Sequence, residues 1–127
     1  MTTKKDALNW FELYAADFDR AKRFYDVILK TPLHDVPAEA DGCRMAVFPY
    51  GQTDGVGGAI TLRKEAIPGA GGTLVYLNVE GDLDGVIGRI PTAGGTVVKP
   101  RTSIGEHGFI AIFKDTEGNN VGLHSLK

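Results

Sequence analysis

The side chains best suited to chemistry lie on two short segments in which apolar and polar residues alternate. On one face they are Trp10, Glu12 and Tyr14 in the first segment and Leu74, Tyr76 and Asn78 in the second. A carboxyl group between two aromatic rings is poorly hydrated, which is one way in which proteins prepare a glutamate for general acid or base work. Glu12 is therefore a candidate catalytic residue, and His124 is the second group that could carry a proton.

The same face also suits the binding of a small organic molecule. The rings of Trp10, Tyr14 and Tyr76 can stack on a flat ligand, a contact worth about 0.5–1.5 kcal/mol beyond the area it buries. Glu12 could pair with a cationic or amide group, and Asn78 can both donate and accept hydrogen bonds. The simpler alternative is that this face meets solvent and that Glu12 is a hydrated strand residue.

An internal repeat indicates how these segments are positioned. At a spacing of 65 residues, Met45–Phe48 aligns with Ile110–Phe113 and Asp17–Asp19 aligns with Asp82–Asp84. Aspartate is a favoured helix N-cap, and apolar residues follow both aspartates at helical spacing. The repeat therefore predicts two copies of one small unit.

Each unit predicts one strand, one helix and three further strands, so the expected fold class is α+β with two tandem βαβββ modules. The predicted strands are 9–15, 33–36, 43–48 and 56–62 in the first module and 73–79, 96–99, 108–113 and 120–126 in the second. Pro91, followed by Gly94 and Gly95, predicts that the second helix ends near Ile90. We expect a single domain over 1–127, with modules at about 6–65 and 73–127 and a glycine-rich hinge at about 66–72.

A helix packed on each module would cover one face of its first strand. The apolar faces carry Phe11, Leu13 and Ala15 in the first module and Val75, Leu77 and Val79 in the second. Matching these faces needs an offset of 64 residues, so we predict one additional residue, Gly81, before the second helix. The candidate binding and catalytic side chains then lie on the uncovered face of each module.

Length and composition argue against several classes of function. The chain of 127 residues can bury a core without disulfides, and its single cysteine, Cys43, allows neither an internal disulfide nor a cysteine zinc cluster. A formal net charge of −2 gives no general attraction to nucleic acid or to an anionic membrane. No segment approaches the ~20 apolar residues of a membrane span, and the first residues do not resemble a secretory signal. We expect a cytoplasmic protein with no nucleic-acid or membrane partner.

The doubled module and several of its strings resemble the vicinal oxygen chelate superfamily, which includes glyoxalase I, bleomycin-resistance proteins and extradiol dioxygenases. The matching strings are Trp10-Phe-Glu-Leu-Tyr14, Asp17-Phe-Asp-Arg-Ala-Lys-Arg-Phe-Tyr25, Val75-Tyr-Leu-Asn-Val79, Ala93-Gly-Gly95 and Phe113-Lys-Asp-Thr-Glu-Gly118. The resemblance implies two modules that form a cupped eight-stranded mixed sheet around a cavity. It also implies a small-molecule ligand and a homodimer.

Enzymes of that superfamily hold a divalent metal with two ligands per module, one on the first strand and one on the last. By resemblance these places fall on Trp10, Leu74, Gly58 or Ala59, and Gly122, none of which has a metal-binding side chain. We therefore expect no metal cofactor at the usual place. Further along the same face lie Glu12 and His124, with His107 as a third candidate ligand, so a displaced divalent metal stays open as an alternative. Gly122 and His124 complete the predicted ligand-binding set.

Three functions remain open at this point. The first is a metal-free binding protein, as in bleomycin resistance, that holds a small organic molecule in an aromatic-lined cavity. The second is a lyase or isomerase related to lactoylglutathione lyase, in which Glu12 is the acid or base and Tyr76 or His124 is the second proton group. The third is a structural role in which side chains fill the cavity. The empty metal places favour the first, and enzyme activity, including that of a dioxygenase, is implied by resemblance alone.

Overall fold

A computed structural model describes residues 7–37, 42–51 and 55–127 of the chain. The elements in chain order are β1 (Trp10–Tyr14), α1 (Phe18–Leu29), β2 (His34–Val36), β3 (Arg44–Val47), β4 (Gly57–Leu62), β5 (Tyr76–Asn78), α2 (Leu83–Ala93), β6 (Thr96–Ser103), β7 (Phe109–Lys114) and β8 (Asn120–Ser125). A short 3-10 turn at Gly105–His107 precedes β7. The predicted βαβββ order is therefore confirmed in both halves. Neither α1 nor α2 is long and apolar enough to cross a membrane.

The strands form two four-stranded sheets of the same topology, with orders β1-β4-β3-β2 and β5-β8-β7-β6. In each sheet the first strand pairs in parallel with the last, and the other pairs are antiparallel. A parallel pair needs a crossover connection, and the helix and the two middle strands supply it. This mixed arrangement confirms the α+β fold class of tandem modules that form a cupped sheet.

The two halves match with the predicted offset of 64 residues in their first strands. The Ala15 N–H donates to the Thr61 carbonyl at 3.0 Å, and the Val79 N–H donates to the His124 carbonyl at 3.0 Å in the same place of the second half. Both bonds join the end of the first strand to the last strand. They put Tyr14 and Asn78 at corresponding positions, as the alternation of the sequence predicts.

The spacing of 65 does not continue unbroken beyond β3. The Phe48 N–H donates to the Gly58 carbonyl at 2.9 Å, whereas Phe113 lies opposite Val121. Gly58 therefore corresponds to Val121, and the turn after β3 is two residues longer than the turn after β7. Loop length sets the register of a hairpin, so the additional residues move the alignment of the last strand.

Helix α1 begins as predicted, because the Asp17 side chain accepts a hydrogen bond from the Arg20 N–H at 3.1 Å. Helix α2 differs from the prediction, since it continues through Pro91 to Ala93 and ends at Gly94, whose φ is 105°. A proline in the last turn removes only one helical hydrogen bond, and glycine adopts the left-handed conformation that terminates a helix. The predicted end near Ile90 was therefore too early.

The core lies between the helices and the apolar faces of both sheets. Its buried residues include the predicted strand positions Leu13, Ala15, Leu77 and Val79, and the helix positions Phe18, Phe24, Tyr25, Ile28, Leu83, Val86 and Ile90. The helices also contact each other, since the Arg89 Nε–H donates to the Ile28 carbonyl at 2.9 Å. Strand β5 is shorter than the predicted 73–79 and β6 is longer than 96–99.

Candidate functional site

A cavity of about 780 Å³ lies between the two halves of the protein. Its aromatic lining consists of Phe11, Phe48, Tyr50 and Tyr76, and its aliphatic lining includes Leu77, Val79 and Val86. Asn78, Glu80 and Asp82 add polar groups on the side of β5 and the start of α2. Its volume falls within the roughly 300–1,000 Å³ of cavities that hold small organic ligands.

Two glycines of β4 allow aromatic rings to lie close to the strand at this cavity. A Cβ atom at Gly57 would lie 2.7 Å from carbon atoms of the Tyr50 ring, and one at Gly58 would meet the ring of Phe11. Trp10 contacts the edge of Tyr50, with 6.4 Å between ring centroids. Because glycine has no side chain, these positions give the rings of Tyr50 and Phe11 room beside the sheet.

The turn after β7 packs on the start of α1. Glu117 Oε1 accepts hydrogen bonds from the N–H groups of Ala16 at 2.9 Å and Asp17 at 2.8 Å, while Oε2 lies 2.7 Å from the Nε of Arg20. Burial opposes ionisation of this carboxyl group, but the hydrogen bonds from Arg20, Asp17, Thr116 and Ala16 outweigh it and lower its pKa to about 2. In the other half, the region after β3 and the start of α2 border the cavity instead.

Two of the predicted ligand-binding residues, Tyr76 and Asn78, line this cavity. The Tyr76 ring lies against the Cα of Gly122, where a Cβ atom would meet it. The Asn78 Oδ1 accepts the backbone N–H of Glu80 at 3.0 Å. Their placement follows from the parallel pairing of β5 with β8, in which Tyr76 lies opposite Gly122 and Asn78 lies opposite His124.

Glu12 lies on the uncovered face of the first sheet and is held by two neighbours. Its Oε2 accepts the Trp10 Nε1–H at 3.3 Å, and its Oε1 lies 3.3 Å from the Nη2 of Arg63. Sequence reasoning missed Arg63, although the alternation of β4 was available to indicate it. Ala59 lies opposite Glu12, and Arg63 is two pleats further along the same face.

The other predicted residues lie apart from the cavity lining. The Tyr14 carbonyl accepts the Asn119 Nδ2–H at 2.8 Å, and Leu74 is 40% exposed before β5. The Nε2 of His124 lies 2.8 Å from the His107 carbonyl oxygen. The structure thus places Glu12 and His124 on different sheets, each with a hydrogen-bond partner of its own.

The residues present do not fit the superfamily's metal centre. Ala59 and Gly122 are the corresponding last-strand positions, since Ala59 lies opposite Glu12 and Gly122 opposite Tyr76. Within 7–37, 42–51 and 55–127, no group of three or more His, Cys, Asp and Glu residues is arranged to hold a metal ion. His107, the third ligand of the displaced alternative, has a side chain that is 79% exposed.

Two sheets built from repeated βαβββ modules define the fold class, and a family comparison identifies the family. The family model described as the Glyoxalase/Bleomycin resistance protein/Dioxygenase superfamily matches residues 7–123. The chain therefore belongs to this superfamily, which confirms the resemblance carried by its motifs.

Similar proteins agree with this membership. The chain is 29% identical over 127 residues to "Putative glyoxylase CFP32" of Mycobacterium tuberculosis and of Mycobacterium bovis, covering 91% of this chain and 44% of each relative. The chain thus spans less than half the length of these curated relatives.

Solved structures share the fold. A glyoxalase/bleomycin resistance protein from Albidiferax ferrireducens has a TM-score of 0.71 at 17% identity, covering 94% of this chain and 98% of that one. The fosfomycin resistance protein FosX of Listeria monocytogenes has a TM-score of 0.68 at 14% identity, covering 95% and 91%. A glyoxalase I mutant from Zea mays has a TM-score of 0.67 at 19% identity, covering 92% of this chain and 46% of that one. At these identities the likeness establishes the fold alone.

Proposed function

We propose that this protein binds a small organic molecule, flat and largely apolar, in the cavity between its halves, without the usual catalytic metal. The observation that carries the proposal is the lining itself, in which four aromatic rings and several aliphatic side chains meet a few polar groups. Such a combination favours ligands that stack on rings and make a small number of directed hydrogen bonds. The cavity supports the binding function that the sequence favoured, with Tyr76 and Asn78 shared between the predicted and the proposed sites.

Filling the cavity is expected to abolish binding. Val56 lines the cavity and is 37% exposed, so Val56→Trp would place a large side chain at the cavity rim while disturbing little of the core. Isothermal titration calorimetry with 2-naphthylmethanol should show an affinity at least about tenfold weaker than that of the unchanged protein, as expected when a bulky group occupies the volume of the ligand.

Val98→Trp provides the matched control, because Val98 is 55% exposed on β6 and does not line the cavity. It should bind 2-naphthylmethanol like the unchanged protein. Equal binding by the Val56→Trp variant would exclude this cavity as the site, and a series of neutral aromatic probes that all fail to bind would contradict the proposed function.

A lyase or isomerase function is the second candidate, favoured by the family and by the relatives called glyoxylase. It would use Glu12, whose carboxylate lies beside Trp10 and Arg63, to remove or return a proton. Glu12→Gln should then lower kcat by at least about a hundredfold with little change in binding, since general acid–base catalysis contributes roughly 10²–10⁴. The assay is turnover of hemithioacetals, and unchanged kcat in Glu12→Gln would remove Glu12 from the reaction.

We also propose that the chain acts as a cytoplasmic homodimer. The support for a dimer is a set of exposed apolar side chains at and near the first strands, with Trp10 at 36%, Leu74 at 40% and Tyr76 at 43% exposure. Large apolar groups that lie exposed in one region of a surface are typical of an interface.

A further inference from the structure

The charged side chains that line the cavity have one sign. They are Glu80 and Asp82, and no lysine, arginine or histidine is found among the lining residues that the structure describes. Both follow β5, so their carboxylates lie toward one end of a lining that is otherwise mostly apolar. A cavity with such a distribution favours a ligand with a positive group at one end and an apolar body at the other.

The two carboxylates are not equivalent, because only one of them is paired with a cation. Asp82 Oδ2 lies 2.6 Å from the Nη2 of Arg89, which neutralises it. Glu80 Oε1 accepts the backbone N–H of Leu126 at 2.6 Å, and Glu80 makes no ion pair with any residue that the structure describes. Glu80 therefore supplies a negative charge that no neighbouring side chain compensates.

Local contacts hold Glu80 at the cavity. Its backbone N–H donates to Asn78 Oδ1 at 3.0 Å, and the next residue, Gly81, donates its N–H to the Ser125 hydroxyl at 3.1 Å. Because the bond from Leu126 fixes one carboxylate oxygen, the group is held in place before any ligand arrives. A fixed charge loses less conformational entropy on binding than a freely rotating one.

The aromatic rings act in the same direction. Tyr50, Tyr76 and Phe11 line the cavity, and the faces of such rings attract cations. We infer that the ligand is an organic cation, an amine or quaternary ammonium attached to an aromatic or aliphatic body, whose positive group pairs with Glu80. This inference rests on the proposed function and adds the chemical class of the ligand.

Three probes of equal size test the inference: 2-naphthylmethylammonium, neutral 2-naphthylmethanol and 2-naphthoate, each titrated by calorimetry at low ionic strength. The ammonium should bind roughly five times more tightly than the alcohol, and the carboxylate should bind most weakly. Glu80→Gln, which keeps an oxygen to accept the Leu126 N–H, should weaken the ammonium about threefold and leave the alcohol unchanged.

Glu106→Gln is the matched control, since it makes the same change in net charge at a side chain that is 90% exposed and outside the lining. It should not change the order of the three probes. If the ammonium and the alcohol bind equally, and Val56→Trp blocks both, then cavity binding stands and the cationic class is wrong. If no probe binds the unchanged protein, both the proposed function and this inference fail.

Discussion

Replacing Glu117 with alanine is expected to lower the free energy of unfolding by about 3 kcal/mol. The carboxylate has no exposed side-chain surface, and it joins the turn after β7 to two backbone N–H groups and to Arg20 at the start of α1. Removing it leaves the N–H groups of Ala16 and Asp17 without their acceptor, and unmade hydrogen bonds to charged groups are the more costly ones. Urea denaturation followed by Trp10 fluorescence and circular dichroism measures the loss.

Glu106→Ala is a suitable control, because its side chain is 90% exposed and its removal should change stability by less than about 0.5 kcal/mol. A loss below about 1 kcal/mol in Glu117→Ala would mean that the contact between the two halves does not depend on this carboxylate.

The same residue predicts a pH dependence of stability. In the folded protein the Glu117 pKa is lowered from 4.5 to about 2, so the unfolded chain binds the proton more readily. Its contribution is therefore fully present above pH 4.5 and is lost as the pH falls through this range toward 2. Allowing for solvent screening at the half-exposed Arg20, the contribution is about 2 kcal/mol. Glu117→Gln should flatten this part of a stability–pH curve, and a curve with the same slope in both proteins would contradict the assignment.

Replacing Asp115 with alanine is expected to cost about 3–4 kcal/mol. This aspartate is 5% exposed and accepts four hydrogen bonds, one of them from the Tyr25 hydroxyl at 2.7 Å. The others come from the N–H groups of Glu117 and Asn119, both at 2.9 Å, and from the Asn119 side chain at 3.1 Å. Burial, then the charge of Asp115, raises the pKa of Tyr25 well above 10, so its hydroxyl stays a donor.

Tyr25→Phe separates the two parts of this network, since it removes one hydrogen bond and keeps the ring in the core. It should cost about 1–2 kcal/mol, less than Asp115→Ala, because the turn keeps its other bonds to Asp115. Chemical denaturation of both variants and of the double variant gives the comparison. Equal losses in Asp115→Ala and Tyr25→Phe would show that the turn amides do not depend on the carboxylate.

The residues of the proposed site were predicted only in part. Tyr76 and Asn78 were identified from alternation, because neighbouring positions of a strand point to opposite faces. Phe11 was expected to lie in the core under the first helix, yet its ring lines the cavity beside Gly58. No local pattern distinguishes a ring that fills a core from one that borders a cavity, since both require an apolar residue on the same face.

Arg63 and Glu80 were missed for a related reason. Each lies just outside a predicted strand or helix, where alternation and helical spacing make no statement about side-chain neighbours. Arg63 reaches Glu12 across the parallel pair β1–β4, and Glu80 meets Leu126 at the end of the chain. Only the pairing of distant strands brings these groups together.

The sequence by itself determined the doubled βαβββ order, the helix start at Asp17 and the face of each first strand that is buried, because short-range spacing encodes all three. The tertiary structure alone decided where the cavity lies. The turn at Glu117 packs on the start of α1, about a hundred residues earlier, whereas the corresponding region of the other half borders a cavity. That difference depends on how two similar modules meet, and the contacts that set it join residues far apart in the chain.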